Sequence, residues 1–414
     1  MKKHTVRKAS RGKAQGEAPL RQATNQLVPV TFETTMTKRS SGRKAMMTDL
    51  TPSEISADSK AIRALPIRQR IGWLINHAHR HAMAYQSPES FLARSLHTAQ
   101  HPTSIVAFNC MDGRINLALA TGTPPGIILP LRNLGGRFDL GWPYFGQVLS
   151  EHVESMVKQG RRTLVLITYH YSKGDSHRGC AGFNYDTDAA RSHTFDLKRQ
   201  VEAVFGDSHN TVYPLVCGFE TDEDALILHG MDNEMLDLST LAANDHDTLP
   251  AVLPRLYPDM QKQMSQDLLP LLQGNSAHIA KIMYSNRSLD IEHHEWVIGI
   301  GRGFDWMYTP NLALIIGPYS PDLADPIRKA AGIIDANMKA HRISDDGFLL
   351  LAESPYHEVG SDRARAALRS CFLSEFAARI IRDEFPNLKA KLHVRSAIIA
   401  WQSQVMELLD CGAA

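Results

Sequence analysis

Two short stretches of the chain hold residues that could do chemistry together. The first is Cys110-Met-Asp112-Gly-Arg114, and the second runs from His170 through His177 to Cys180. Two thiolates and one imidazole make a good ligand set for zinc. Three protein ligands also leave a fourth position open for water, as a catalytic rather than a structural zinc requires. The residues by themselves leave the histidine open. His177 and Cys180 form a His-x-x-Cys, whereas His170 stands at the end of a strand, where a ligand is held rigidly. A buried cysteine is more often a small core hydrophobe, but a core cysteine has no need of the Asp112 and Arg114 that follow Cys110. The other cysteines are Cys217, Cys371 and Cys411. Few and unevenly placed, the five argue against a disulfide framework and for a reducing compartment.

The elements needed to position these residues are legible as alternating strands and helices. Residues 104–109 read as a short buried strand ending at Cys110, and 126–131 as a second. Residues 142–159 form an amphipathic helix, 162–169 the clearest strand, 186–205 another helix, and 211–216 and 225–229 two more strands. Such alternation indicates an α/β sheet with parallel strands, and ligands bind in the crevice at their carboxyl ends. The sheet can therefore bring Cys110 to the 170–180 segment. Residues 231–290 are mixed and mostly helical. A second α/β stretch follows, with strands at 296–300, 311–316, 347–351 and 391–395 and helices at 326–339 and 363–382. The two halves are candidates for a diverged duplication.

Before the first strand, residues 49–100 carry a helical apolar stripe that includes Ile62, Leu65, Ile71 and Leu74, with a cap-like Thr51-Pro-Ser-Glu54 at its start. Its His77, His79 and His81 fall on different sides of a helix and do not read as a metal site. Residues 1–48 hold eleven Lys/Arg and two Glu in a chain whose net charge is only +1. This basic segment buries too little apolar surface to offset its ordering entropy and is expected to be disordered, an arm suited to an acidic protein partner. A mitochondrial transit peptide also fits a basic, acid-poor start. No apolar run reaches the ~20 residues that span a bilayer, and the folded part carries nothing that calls for nucleic acid.

Taken in order, these motifs resemble the β-type carbonic anhydrases, in which Cys-x-Asp-x-Arg at one strand end precedes a His and a Cys after a later one. Arg132-Asn-Leu-Gly-Gly136 is similar to that family's Arg-Asn-Ala-Gly segment. The stretch from His170 to Cys180, with Phe219-Glu-Thr-Asp-Glu-Asp-Ala225 and Ile300-Gly-Arg-Gly-Phe-Asp305, is closer to the divergent carboxysome shell carbonic anhydrases. The resemblance covers roughly residues 100–400. It implies a β-carbonic-anhydrase-like sheet flanked by helices, a helical N-terminal region and a second, degenerate β-carbonic-anhydrase-like half. The corresponding domains are a basic tail at 1–48, a helical region at 49–100, a zinc-binding catalytic domain at 101–290 and an α/β domain lacking the metal site at 291–414. It implies one zinc per chain on Cys110, His170 and Cys180, with His177 as second-choice ligand or proton shuttle. Asp112, held by Arg114, would orient the hydroxide on that zinc toward carbon dioxide, giving bicarbonate. Gly135, Gly136, Gly179 and Gly182 would let backbone approach the site. A homodimer or higher homo-oligomer and a place in the cytoplasm, inside a carboxysome, are implied likewise; an enzyme free in the cytosol is the variant. The alternative is a zinc-stabilised, shell-associated scaffold without catalysis, in which Asp112 is a permanent fourth ligand.

Overall fold

The computed structural model describes residues 59–241, 248–284, 292–307 and 309–412. The basic segment 1–48 and the cap-like Thr51–Glu54 lie outside these residues. Five strands and one short addition build the first sheet: β1 (Ser104–Cys110), β2 (Ile128–Asn133), β3 (Thr163–Tyr171), β4 (Val212–Glu220), β5 (Ala225–His229) and β6 (Met235–Asp237). Their order is β2-β1-β3-β4-β5-β6. The first four strands run parallel, and β5 and β6 turn back antiparallel, so the sheet is mixed rather than wholly parallel. The tight acidic turn after Glu220 leaves no room for a crossover helix, which a further parallel strand would need. Nearly every residue of β1, β3 and β4 is buried, as expected of strands covered on both faces.

Helix Pro143–Lys158 starts on a proline at its first turn, where a missing N–H costs nothing. It buries Phe145, Val148, Leu149 and Val153 against Phe108 and Phe138, with the Phe108 and Phe145 rings 5.1 Å apart. Helix Thr187–Phe205 is capped by Asp186, which accepts from Ala189 N–H, and buries Ala190, Thr194, Leu197 and Val201 against β3 and β4. Helices Leu249–Leu256 and Lys262–Tyr284 follow in the stretch read as mostly helical.

The second sheet contains β7 (Val297–Gly301), β8 (Ala313–Ile316), β9 (Phe348–Tyr356), β10 (Leu392–Ala400) and β11 (Val405–Leu409) in the order β8-β7-β9-β10-β11. Again the first four are parallel and the last is antiparallel. In both sheets the first strand lies between the second and third, with the fourth and fifth beyond; the halves share one topology even though residue identity does not reveal it. Helix Ile67–Tyr85 belongs with this second sheet. Its Arg70 is fully buried, donates to Asp346 Oδ1 at 2.5 Å and Gly347 O at 2.9 Å, and stacks over Trp296. His77 Nε2 is bound to Trp306 O at 2.9 Å, so it is spent on packing the helix.

One expectation is overturned here. Cys371 and Cys411 form a disulfide. The chain-terminal β11, absent from the sequence reading, runs antiparallel to β10 and returns the end of the chain to helix Ser361–Glu384. The two Cα atoms are thereby brought to 5.6 Å, a separation that suits a bridge. Spacing along the sequence gives no sign of this return.

Candidate active site

Cys110 is the last residue of β1, and His170 is the last but one of β3, its parallel neighbour. Both side chains therefore emerge at the same carboxyl edge. The loop after β3 turns back over that edge and delivers Cys180. The ligand atoms of Cys110, His170 and Cys180 lie within 4.8 Å of one another, and all three residues are buried. The two sulfurs are 4.0 Å apart. They titrate as a pair: the thiol contact and then burial hold Cys110 well above the usual range, while the same contact draws Cys180 down. The backbone N–H groups of Gly182 and Phe183 add to the shift at Cys180.

Both ring nitrogens of His170 are buried and have no hydrogen-bond partner among the protein atoms. An orphaned imidazole beside two thiols is costly as protein alone. Its chemistry fits a soft-to-borderline cation such as zinc. His177 is elsewhere: it is exposed, with Nδ1 3.3 Å from Asp175 Oδ1, and is not among the clustered ligand atoms.

Asp112 is turned toward Arg114. Its Oδ1 accepts from Arg114 N–H at 2.9 Å and from Nε at 3.0 Å, and its Oδ2 accepts from Nη2 at 2.6 Å. Asp112 Oδ2 also stands 3.9 Å from His170 Nε2, so the pair borders the candidate ligands. Burial works to raise the Asp112 pKa, but Arg114 and then His293 outweigh it and keep the carboxyl well below the carboxylate range. Burial likewise works against the charge on Arg114, and Asp112 more than restores it. Arg114 is anchored further by donating to Arg178 O at 2.7 Å.

Two residues of this site were missed by sequence reasoning. His293 Nε2 lies 3.8 Å from Asp112 Oδ2 and 3.3 Å from Arg114 Nη2, and its Nδ1 is 3.0 Å from Glu295 Oε1. Glu295 is fully buried and also accepts from Gly113 N–H at 3.2 Å. Burial pushes the His293 pKa down, but Glu295 and Asp112 reverse it, leaving His293 raised; Glu295 is held low mainly by His293, against burial. Both come from the segment entering β7, in the second half of the chain. Adjacent histidines flanked by acids, Glu292-His-His-Glu295, were the available signal.

The remaining motifs support this geometry. Arg132 donates Nη1 to Cys110 O at 3.3 Å and to Asp112 O at 3.1 Å, fixing the first loop. Gly135 has φ +68°, and a Cβ on Gly182 would sit 2.5 Å from Gly135 Cα. Only two glycines allow these backbones to approach so closely. Gly136 also has positive φ. Glu220, fully buried, accepts from the N–H groups of Lys173, Asp222 and Glu223, and Asp222 in turn accepts from Ser172 Oγ and Gly174 N–H. The acidic turn thus holds the loop that carries Cys180.

Comparison with known proteins gives the following. The family model described as Carboxysome Shell Carbonic Anhydrase, catalytic domain, matches residues 147–245, which include His170 and Cys180 but not Cys110. The carboxysome shell carbonic anhydrase of Hydrogenovibrio crunogenus is 26% identical over 269 residues, covering 56% of this chain and 49% of that protein. The carboxysome shell carbonic anhydrase of Prochlorococcus marinus subsp. pastoris is 24% identical over 266 residues, covering 56% of this chain and 50% of that protein. The chain thus spans about half the length of these curated relatives. A solved structure described as that of the beta-carbonic anhydrase CcaA aligns with 41% of this chain and 92% of its own, at 16% identity and a TM-score of 0.29.

Proposed function

We propose, from the premise that this chain is a relative of the carboxysome shell carbonic anhydrases, that it hydrates carbon dioxide reversibly to bicarbonate and a proton. The observation that carries the reading is His170, buried without a partner between two thiols and beside a doubly held Asp–Arg pair. Cys110, His170 and Cys180 would hold one zinc ion. When bound, zinc lowers the pKa of a water in its open position toward ~7 and so supplies a nucleophile at neutral pH.

The chain's own groups do the rest. Asp112, ionised because Arg114 is paired to it, accepts a hydrogen from the attacking water and so aims the oxygen lone pair at the carbon of CO2. Arg114 is a positioning residue for that carboxylate. His293, its Nδ1–H donated to Glu295, presents Nε2 as acceptor and carries the released proton away. Because the His293 pKa is raised, hydration gains as pH climbs through that value and frees Nε2; dehydration is favoured below it. His177 stays in reserve as a surface relay. Residence inside a carboxysome, as the relatives' names suggest, belongs to the same reading. So do assembly as a homodimer or larger homo-oligomer and docking of residues 1–48 on an acidic protein partner. So too does the division into a catalytic domain at 101–290 and a domain at 291–414 that lends His293 and Glu295 without ligating metal.

The test is stopped-flow hydration of CO2 with zinc content measured on the same preparation. Zinc-loaded protein that gives no rate above buffer between about pH 7 and 9 sinks the proposal. Asp112→Ala separates it from the scaffold reading: an enzyme keeps zinc and loses rate, whereas a scaffold using Asp112 as fourth ligand loses zinc.

A further inference from the structure

His293 and Glu295 lie in an irregular segment, residues 292–296, that leads into β7. A segment outside a strand ladder lacks the pairing that fixes a side chain, yet a reacting group must be held to within about 0.5 Å. The turn before β8 supplies the missing support. Asn311 N–H donates to Gly113 O at 2.9 Å, and Asn311 Nδ2 donates to Glu292 O at 2.8 Å. Gly113 stands between Asp112 and Arg114, and Glu292 stands directly before His293. One buried residue therefore bridges the loop of the Asp–Arg pair and the segment of the proton carrier.

Neighbouring bonds run the same way. Gly113 N–H donates to Glu295 Oε1 at 3.2 Å, Trp296 N–H donates to Leu312 O at 3.3 Å, and Ile315 N–H donates to Met111 O at 3.0 Å. The residue type at 311 suits a bridge. Asn311 has φ +59°, a left-handed conformation that Gly and Asn adopt readily and most residues do not. Glycine would satisfy that backbone but has no side-chain donor. Asparagine supplies both the conformation and an NH2 group.

We propose that Asn311 is a positioning residue for proton transfer. Its side chain fixes the 292–295 segment to the Gly113 backbone and so holds His293 Nε2 at 3.8 Å from Asp112 Oδ2. The proposal rests on the catalytic reading above, with His293 as the proton carrier. Asn311 acts on the reaction only through His293, and a reacting group misplaced by about 1 Å can lose much of its rate. Asn311→Gly deletes the bond to Glu292 O. It keeps the left-handed turn and the N–H bonded to Gly113 O, so Asp112 and Arg114 stay in place.

The test is stopped-flow CO2 hydration by the full, zinc-loaded chain, with kcat and kcat/KM separated. Removal of the proton enters kcat, whereas kcat/KM covers the steps up to release of bicarbonate. Asn311→Gly should lower kcat by about tenfold, leave kcat/KM within about twofold, and regain kcat when imidazole buffer is added. Asn311→Asp keeps the size and the turn but sets a carboxylate oxygen against Glu292 O, and it should behave alike. It decides the matter if Asn311→Gly does not melt cooperatively. In a His293→Gln background, Asn311→Gly should lower kcat no further, because both changes act at one step. An equal fall in kcat and kcat/KM overturns the positioning role, as does a loss that multiplies with that of His293→Gln. An inactive wild type overturns the catalytic reading and this one with it. An active wild type whose kcat is untouched by both Asn311 variants overturns this one alone.

Discussion

Asp112 and Arg114 are each expensive to bury and affordable only together. Asp112→Asn removes the charge that does most to offset burial of the Arg114 guanidinium, so it should cost about 3–5 kcal/mol in urea unfolding. The double variant Asp112→Asn/Arg114→Met should regain most of that stability while the hydration rate stays down by about 10²-fold or more. Recovery of rate together with stability would show that the pair is merely structural. His293 gives a prediction with a pH sign. Its folded pKa is raised, so its stabilising contribution is complete below the unfolded value of about 6.5 and fades as pH rises through the folded value. His293→Gln should therefore lower Tm more at about pH 6 than at about pH 9. It should also slow hydration by roughly 10²-fold and be rescued by added imidazole buffer. A pH-independent Tm loss without buffer rescue would reduce His293 to a packing residue.

Strand ends and glycine turns set the geometry at the next scale. β1 and β3 fix two of the three candidate ligands through backbone pairing, but Cys180 depends on a loop held by the Gly135–Gly182 approach and by Glu220. Gly182→Ala pushes backbone against backbone, with a Cβ 2.5 Å from Gly135 Cα. It should cost about 1–3 kcal/mol and weaken zinc retention in a chelator competition, since Cys180 moves with the loop. Gly332→Ala, in helix Ala324–Lys339 with nothing within 4 Å of its Cβ, is the control. It should stabilise by about 0.5–1 kcal/mol and leave zinc untouched. Equal zinc retention in both variants would detach the Gly135–Gly182 contact from the metal centre.

For the molecule as a whole, the second half is more than a relic of the first. It supplies His293 and Glu295 to the candidate active site. Its end is tied by the Cys371–Cys411 bridge, which closes a loop of 40 residues. Cys371→Ser should lower Tm by an amount equivalent to about 2–4 kcal/mol, and reductant should do the same to the wild type. The hydration rate at low temperature should not change, because neither sulfur touches the site. No helix among the described residues is long and apolar enough to cross a membrane.

The sequence by itself determined the parts that are local or periodic. Strand and helix spans followed from alternating apolar runs, and the placement of Cys110 and His170 at neighbouring strand ends followed from parallel-sheet geometry. Asp112 and Arg114 were legible because they sit within four residues of Cys110. Tertiary structure alone decided what depends on distant segments meeting. It buried His170 without a partner and left His177 in solvent, a distinction of environment that spacing cannot encode. It carried His293 and Glu295 across more than a hundred residues of chain to Asp112, paired Cys371 with Cys411, and revealed a second sheet with the strand order of the first. Side-chain identity is written along the chain, but desolvation and charge pairing, which fix a group's chemistry, depend on which residues the fold packs against it.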